Sequence, residues 1–471
     1  MISIYLDWNV IVQMKNGFHP ELKTILESKR FFIPYSTSHI GDILSGFSNE
    51  PGHRELVDAD LDLLSQLTEN NCLSNDGKEI KINYFVPREL FEERLNEKDF
   101  FRNFSLDTIE QMFEGDETIK GLGKKYIDLL RNIRLDKVFA DALKNPESAK
   151  HLDTMFPGLK DNPTMEGFFK SFGEMLTRMN ENEDYKELRK ITQGGLGINR
   201  DKIFNSNDPY SIIEKTYEKL NFNNQQNIQQ NKYGPAWFNE ISNEYLKLDM
   251  HGYQEDKVNT TKGRKETFRN TTEDAFHAGF ASTCNFYILN DNRAYHKTKK
   301  VYEKISLNTF VFKPDEFLNY YKSFLLERAI NLELKIPITY LSAEPINEEK
   351  TEDGIIRTYH LPYFVFDFFN KMFVTIDSSG KTTMLLLSRF APTNKKVTYH
   401  FEIEKLSSKL YQVFGHDVEK LGQIKQDEFE HGEWGGRKWD FGDIAFRLLC
   451  PNGHFQLYYD LEEIDEQNKE S

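Results

Sequence analysis

Residues 2–10 read Ile-Ser-Ile-Tyr-Leu-Asp-Trp-Asn-Val, and this stretch decides how the rest of the chain is read. The run from Ile2 to Leu6 is short, almost wholly apolar and rich in Ile and Tyr, which predicts a buried strand. Asp7 ends it, and Val10-Ile11-Val12-Gln13-Met14 begins a helical turn. A strand that ends on an acid and turns at once into a helix is the opening of an α/β layer. Sites in such layers form outside the carboxyl ends of the strands.

Working outward, residues 31–35 (Phe-Phe-Ile-Pro-Tyr) predict a second strand. Ser36-Thr37-Ser38 then offers capping hydroxyls for a helix through His39 and Asp42 to Leu44. Residues 53–67 predict another helix, with Leu56, Leu61, Leu63, Leu64 and Leu67. The same pattern returns far downstream. Thr271 or Thr272 caps a helix over 271–284 that carries Glu273, Asp274 and His277. Phe286-Tyr287-Ile288-Leu289 is a strand ending at Asn290-Asp291, followed by a helix over 294–304 and a strand at 309–312.

Between these halves the pattern is helical, over 106–114, 120–144, 163–180 and 210–220, with loop-like stretches at 193–198 and in the Asn/Gln tract 221–234. Beyond about 330 the period turns to two. Strands are predicted at 332–341, 355–368, 371–377, 382–389, 397–403, 443–449 and 454–460, with one helix near 404–413. The expected plan is therefore an α/β layer in two parts, 1–75 and 263–328. A mainly helical insertion, 76–262, splits it, and a β-rich α+β domain, 329–471, follows.

Composition narrows the classes. The chain has 471 residues, 38% of them hydrophobic and 14% aromatic, enough for packed cores. The net charge of −15 speaks against a basic nucleic-acid coat, though not against a local basic groove. Three cysteines, Cys72, Cys284 and Cys450, give neither a disulfide framework nor a zinc pair, and a reducing cytoplasm is expected. No basic leader precedes Asp7 and no long apolar run appears, so neither a secretory signal nor a membrane span is expected.

Asp7, Asp42, Asp274 and Asp291 all fall at strand ends or in nearby helical turns. Carboxylates that converge repel one another and call for a cation. Hard oxygen ligands select Mg²⁺ or Mn²⁺, which activate water and stabilise charge on a phosphodiester.

The segments Tyr5-Leu6-Asp7-Trp8-Asn9-Val10, Pro34 to Ile43, and Glu273-Asp274-Ala275-Phe276-His277-Ala278 through to Asp291 resemble PIN-domain nucleases, the middle one a PIN-like bacterial subgroup. The resemblance covers about 1–67 and 268–315. It implies a small α/β/α sandwich with a parallel sheet and Mg²⁺- or Mn²⁺-dependent cleavage of RNA rather than DNA. It carries the four acids of the family to Asp7, Asp42, Asp274 and Asp291, and the polar residue after the first acid to Asn9. The second acid, usually Glu, is the shorter Asp42, and the insertion is far longer than ordinary loops.

Other residues gather around this set. His39, His277 and Glu273 could support the metal ligands, though a buried histidine is more often a hydrogen-bonded core residue. Lys297, about a turn past Asp291, and Arg264, Lys265 and Arg293 could neutralise substrate phosphates; the competing reading is a solvated charged face. Gly194, Gly195 and Gly197 have no nucleotide-binding register.

Two alternatives stand beside the nuclease. One is a degenerate PIN-like scaffold acting as a binding protein. The other is an Asp-based phosphatase, weakened because Asn9 stands where such chemistry uses a second acid. The insertion and the β-rich part suggest regulated cleavage, as in a toxin-like or defence effector, through a regulatory partner or a second copy of the chain.

Overall fold

Ile4, Tyr5 and Leu6 are buried and form a strand, β1 (Ile4–Leu6). Its partner is parallel: β5 (Phe286–Ile288), which pairs in parallel with β6 (Phe310–Phe312), giving the order β1-β5-β6. The computed structural model describes residues 2–102 except 49, 156–171 except 157, 165 and 169, 184–219, 234–256, 268–390, 392, 397, 399–429, and 434–461 except 443. They fall into two compact units. The first is Met1–Ser36, Gln66–Tyr84 and Gly279–Ser471; the second is Thr37–Ser65 and Phe85–Ala278.

The first unit holds the sheets. On the free side of β1, Ser3 bridges Phe32 in parallel, with the Ile4 N–H donating to the Phe32 carbonyl at 2.8 Å. The strand expected over 31–35 is interrupted there. Pro34 has no N–H to give to a ladder, and pairing resumes only in β2 (Tyr35–Ser36). β2 runs parallel to β3 (Asn71–Asn75), which forms an antiparallel pair with β4 (Ile80–Tyr84). This hairpin is absent from the sequence reading, although Asp76-Gly77 marks its turn. The Asp76 carboxylate accepts the Lys78 and Glu79 N–H groups, and Gly77 takes the positive φ of 85° that the turn requires.

A second, antiparallel sheet has seven strands. Its order is β11 (Arg437–Asp440), β12 (Ile444–Leu449), β13 (Gln456–Leu461), β10 (Thr382–Ser388), β9 (Phe369–Asp377), β8 (Gly354–Val365), β7 (Asn347–Thr351). Most of the strands expected beyond 330 are therefore present. Two are not. Residues 332–341, read as a strand, lie in a helix, Ile330–Thr339, and 397–403 run into the helix Tyr399–Phe414. Leu332, Leu334, Ile336 and Ile338 do alternate, but the structure buries Glu333, Ile336 and Pro337 and leaves Leu332 and Ile338 exposed. Packing of Ile336 among Tyr359, Leu385 and Leu406 selects the helical face over the alternating one.

An aromatic seam joins this sheet to the parallel layer within the same unit. The Phe286 ring lies 5.7 Å from Phe310, 5.5 Å from Tyr320 and 5.6 Å from Phe364, centroid to centroid. The Tyr320 hydroxyl donates to the Pro362 carbonyl at 2.6 Å, and Arg30 pairs with Asp367. A buried phenylalanine of this kind contributes about 3–5 kcal/mol against alanine.

The second unit is helical among the described residues: Thr37–Gly46, most of His53–Thr68, Pro87–Arg102, Asp184–Leu196, Pro209–Lys219, Ala236–Met250 and most of Phe268–Ala281. Asp249 is fully buried and accepts from Tyr185 (2.7 Å), Arg189 (3.1 Å) and the Asp256 N–H (2.8 Å), so its charge is fully bonded. The loop expected over 193–198 begins late. Gly194 and Gly195 stay helical, and the helix stops at Gly197, whose φ of +66° suits a glycine C-cap. The helices expected at 106–114 and 120–144, much of 163–180 and nearly all of 221–234 lie outside the described residues. Among the described residues no helix is long and apolar enough to cross a membrane.

Candidate functional site

Three adjacent parallel strands of the first unit end on one edge, and their ends carry the charged residues. Past β1 comes Asp7, past β5 come Asn290 and Asp291, and past β6 comes Lys313. The backbone fixes these positions. The Asp7 N–H donates to the Ile288 carbonyl at 2.9 Å, and the Leu289 N–H donates to the Phe312 carbonyl at 3.1 Å.

Both acids also have a structural duty. Asp7 caps the helix Trp8–Lys15, accepting the Asn9 N–H at 3.3 Å. Asp291 caps Asn292–Ile305, accepting the Arg293 and Ala294 N–H groups at 2.8 Å each. A helix N-terminus favours a carboxylate, by about 1 kcal/mol for a good cap. The two differ in exposure: Asp7 is buried and Asp291 is at the surface. Asn9 is half-buried beside Asp7.

Lys313 answers these acids. Its Nζ donates to the Asn290 carbonyl at 2.6 Å and stands 4.9 Å from the Tyr295 ring centre. Burial pushes the Lys313 ammonium below the ordinary lysine value, and Asp291, Glu316 and Asp7 pull it back. The Lys299 ammonium stands 4.8 Å from the centre of the same ring. The neighbouring His296 is held low, first by desolvation and then by Lys313 and Lys299. The sequence reading stopped at strand 309–312 and missed Lys313. The signal was available, since a lysine follows β6 just as an aspartate follows β1.

Of the basic residues singled out from sequence, Lys297 is fully buried within its helix and Arg293 is half-buried. Arg264 and Lys265 lie outside the described residues.

The second unit has its own acidic cluster, built from two helices. Ser38 and Asp42 are four residues apart on Thr37–Gly46, and Glu273 and His277 are four apart on Phe268–Ala281, so each pair shares a helix face. The faces meet. His277 Nε2 lies 3.0 Å from Asp42 Oδ2, and the His39 and His277 rings pack edge to face at 4.8 Å. Glu273 takes a hydrogen bond from Ser38 and feels the Asp42 charge.

Gly41 makes this approach possible. A Cβ at position 41 would stand 2.6 Å from Glu273 Cδ and 2.9 Å from Oε2. The Glu273 residue keeps some surface, but its carboxyl is enclosed. Desolvation first, and then Asp42, push it up to about 7, against the pull of His277, Ser38 and Arg269. Asp274, the acid favoured from sequence, is half-buried one residue further on, about 100° around the helix from Glu273. Glu273, placed by sequence only in support, is the acid that faces Asp42.

Carboxylate oxygens are the ligands a hard divalent ion accepts, and each unit offers acids of this type, Asp7 and Asp291 in the first and Asp42 and Glu273 in the second. Among the described residues no three His, Cys, Asp or Glu side chains are grouped closely enough to hold a metal by themselves. Compared with known protein families, with curated proteins and with solved structures, the chain matches none.

Proposed function

We propose that this chain is a metal-dependent nuclease, an endoribonuclease of the PIN-like type that hydrolyses phosphodiesters with Mg²⁺ or Mn²⁺. The observation that carries the reading is the sheet edge in the first unit, where β1, β5 and β6 end in Asp7, Asn290-Asp291 and Lys313. A divalent ion bound at such carboxylates supplies activation of water and stabilisation of charge on the phosphoryl group. The capping bonds orient the Asp7 and Asp291 carboxylates, and Lys313 brings a positive charge to the same edge. The resemblance alone carries Asp42 and Asp274 into the acid set, and within the second unit His277 lies 3.0 Å from Asp42.

The choice of RNA over DNA rests on the resemblance alone. So do a cytoplasmic setting and a toxin-like or defence role, with the insertion or the antiparallel sheet engaging a regulatory partner or a second copy. The test uses the full chain with single-stranded RNA and DNA of one sequence, in Mn²⁺, in Mg²⁺ and in EDTA. The expected outcome is RNA cleavage that EDTA stops and that Asp7→Asn and Asp291→Asn abolish. Cleavage that survives both substitutions would overturn the assignment.

One observation favours a second reading, a binding scaffold without catalysis: no described trio of acids or histidines is close enough to hold an ion. Calorimetry with Mn²⁺ separates the two, since a scaffold of this kind takes up no ion.

A further inference from the structure

We propose that Lys313 is the residue that contacts the substrate phosphate at the sheet edge, and that Lys299 extends this contact along the nucleic-acid backbone. The inference rests on the nuclease reading and deepens it. Lys297, which the sequence favours for the role, is fully buried, so its ammonium does not reach a ligand at the surface.

The geometry of Lys313 is different. It follows β6 directly, on the same edge as Asp7 and Asp291. The Asn290 carbonyl and the Tyr295 ring hold its ammonium from two sides. The Tyr295 hydroxyl is fixed in turn, donating to Glu316 at 2.9 Å and accepting from Lys299 at 3.0 Å. Two ammonium groups thus gather on one ring, 4.8 and 4.9 Å from its centre. Such an arrangement suits a chain of phosphates, which offers negative charges at regular intervals, better than a single isolated anion.

Charge balance points the same way. With the carboxylates alone, the Lys313 ammonium is an internal counter-ion for Asp7 and Asp291. A divalent cation held by those carboxylates would take over part of their charge compensation and leave the ammonium available to an anion. A phosphodiester is the anion that a nuclease brings to that place, and Lys313 would grip the phosphate that the acids act on. No proton or electron moves in this step; it is binding.

The experiment measures binding of a fluorescent single-stranded RNA oligonucleotide by anisotropy across a salt series, with Ca²⁺ in place of Mg²⁺. Lys313→Met keeps the apolar stem against Tyr295 and removes the charge. Lys350→Gln, on exposed β7, makes the same change in net charge elsewhere. The expected result for Lys313→Met is roughly ten-fold weaker binding at low salt. The slope of log affinity against log salt should also be shallower by about 0.7, the share of one phosphate contact on a single strand. Lys313→Arg should restore the slope, Lys299→Gln should lower it further, and Lys350→Gln should leave it unchanged.

A Lys313→Met slope equal to that of the unaltered chain would overturn the proposal and leave the nuclease reading intact. Failure of the unaltered chain to bind the oligonucleotide at all would sink both. If Lys313→Met does not fold, Lys313→Arg and Lys299→Gln still decide: an Arg variant that binds with the native slope, beside a Gln variant with a reduced one, supports the proposal, and native slopes in both oppose it.

Discussion

The two acidic clusters of this molecule solve the same problem in opposite ways. In the first unit, Asp7 and Asp291 sit on helix N-termini and share the edge with an ammonium, Lys313. Capping N–H groups bond their carboxylates, and an ammonium shares their edge. In the second unit, Asp42 and Glu273 face each other from two helices, and the charged form of Glu273 is disfavoured by desolvation and by Asp42. The first cluster is compensated by the fold, and the second is only partly so, through His277, Ser38 and Arg269. The difference teaches where a divalent cation would be felt most. At the strand edge it competes with an existing ammonium; at the helix pair it would supply charge that the protein itself provides only weakly.

The largest expected effect concerns activity. Asp7→Asn should reduce Mn²⁺-dependent cleavage by about 10³-fold or more, about 4 kcal/mol of transition-state stabilisation. Stability should change by less than about 1 kcal/mol, because asparagine caps a helix nearly as well as aspartate. Steady-state cleavage rates and a thermal melt on the same sample check both halves. Asp42→Asn provides the contrast. It should also reduce cleavage, and it should lower the Glu273 titration by removing the neighbouring charge. Equal rates for Asp42→Asn and the unaltered chain would remove the second cluster from the reaction and break the comparison.

How much of this was legible beforehand depends on what kind of signal each residue carried. Asp7 and Asp291 could be read because each ends a short apolar run, and an apolar run is the plainest strand signal. Asp42 could be read as a polar residue just inside a helix with a capped start. Glu273 and Asp274 could not be told apart from sequence, since choosing one needs the rotation of the helix about its axis. Gly41 and Ser38, on another helix, set that choice. Lys313 carries the same signal as Asp7, a charged residue directly after a short apolar strand, but as a cation it stands outside any set of converging acids. The strand assigned to 332–341 failed because alternation and helical spacing overlap over ten residues, and a distant core made the decision. The β3–β4 hairpin was hidden by a short apolar pattern, Ile80 and Ile82, too brief to register.

A middle-sized effect separates the clusters by pH. The folded-state value of Glu273 lies near 7, above the ordinary 4.5. A carboxyl raised on folding favours the folded state fully below about 4.5, and that advantage is lost as pH rises through about 7. Glu273→Gln keeps a neutral group of the same shape and should therefore stabilise the metal-free chain at pH 8 and do little at pH 4.5. The gain at pH 8 should be on the order of 1–3 kcal/mol, reduced from the full shift because the residue retains some exposure. Thermal melts in EDTA at the two pH values measure it. A gain of the same size at both would mean that charge is not the cause.

The smallest effect on stability is the most informative about geometry. Gly41→Ala places a methyl within 3 Å of the Glu273 carboxyl, so one of the two must move. The carboxyl is the end of a flexible side chain, and moving it is cheap compared with shifting backbone. Alanine in turn improves the helix Thr37–Gly46 by about 1 kcal/mol over glycine. The two effects nearly cancel, so the melting temperature should stay within a few degrees. What should change is the titration of Glu273. Displaced from Gly41 and Asp42, its carboxyl regains water and returns towards 4.5, and the stabilisation by Glu273→Gln at pH 8 should disappear in the Gly41→Ala background. A double-mutant cycle over the two substitutions reads this as non-additivity. Additive effects would mean that the carboxyl does not depend on the space that Gly41 leaves, and the account of the second cluster as a pair of acids held together by that space would fail.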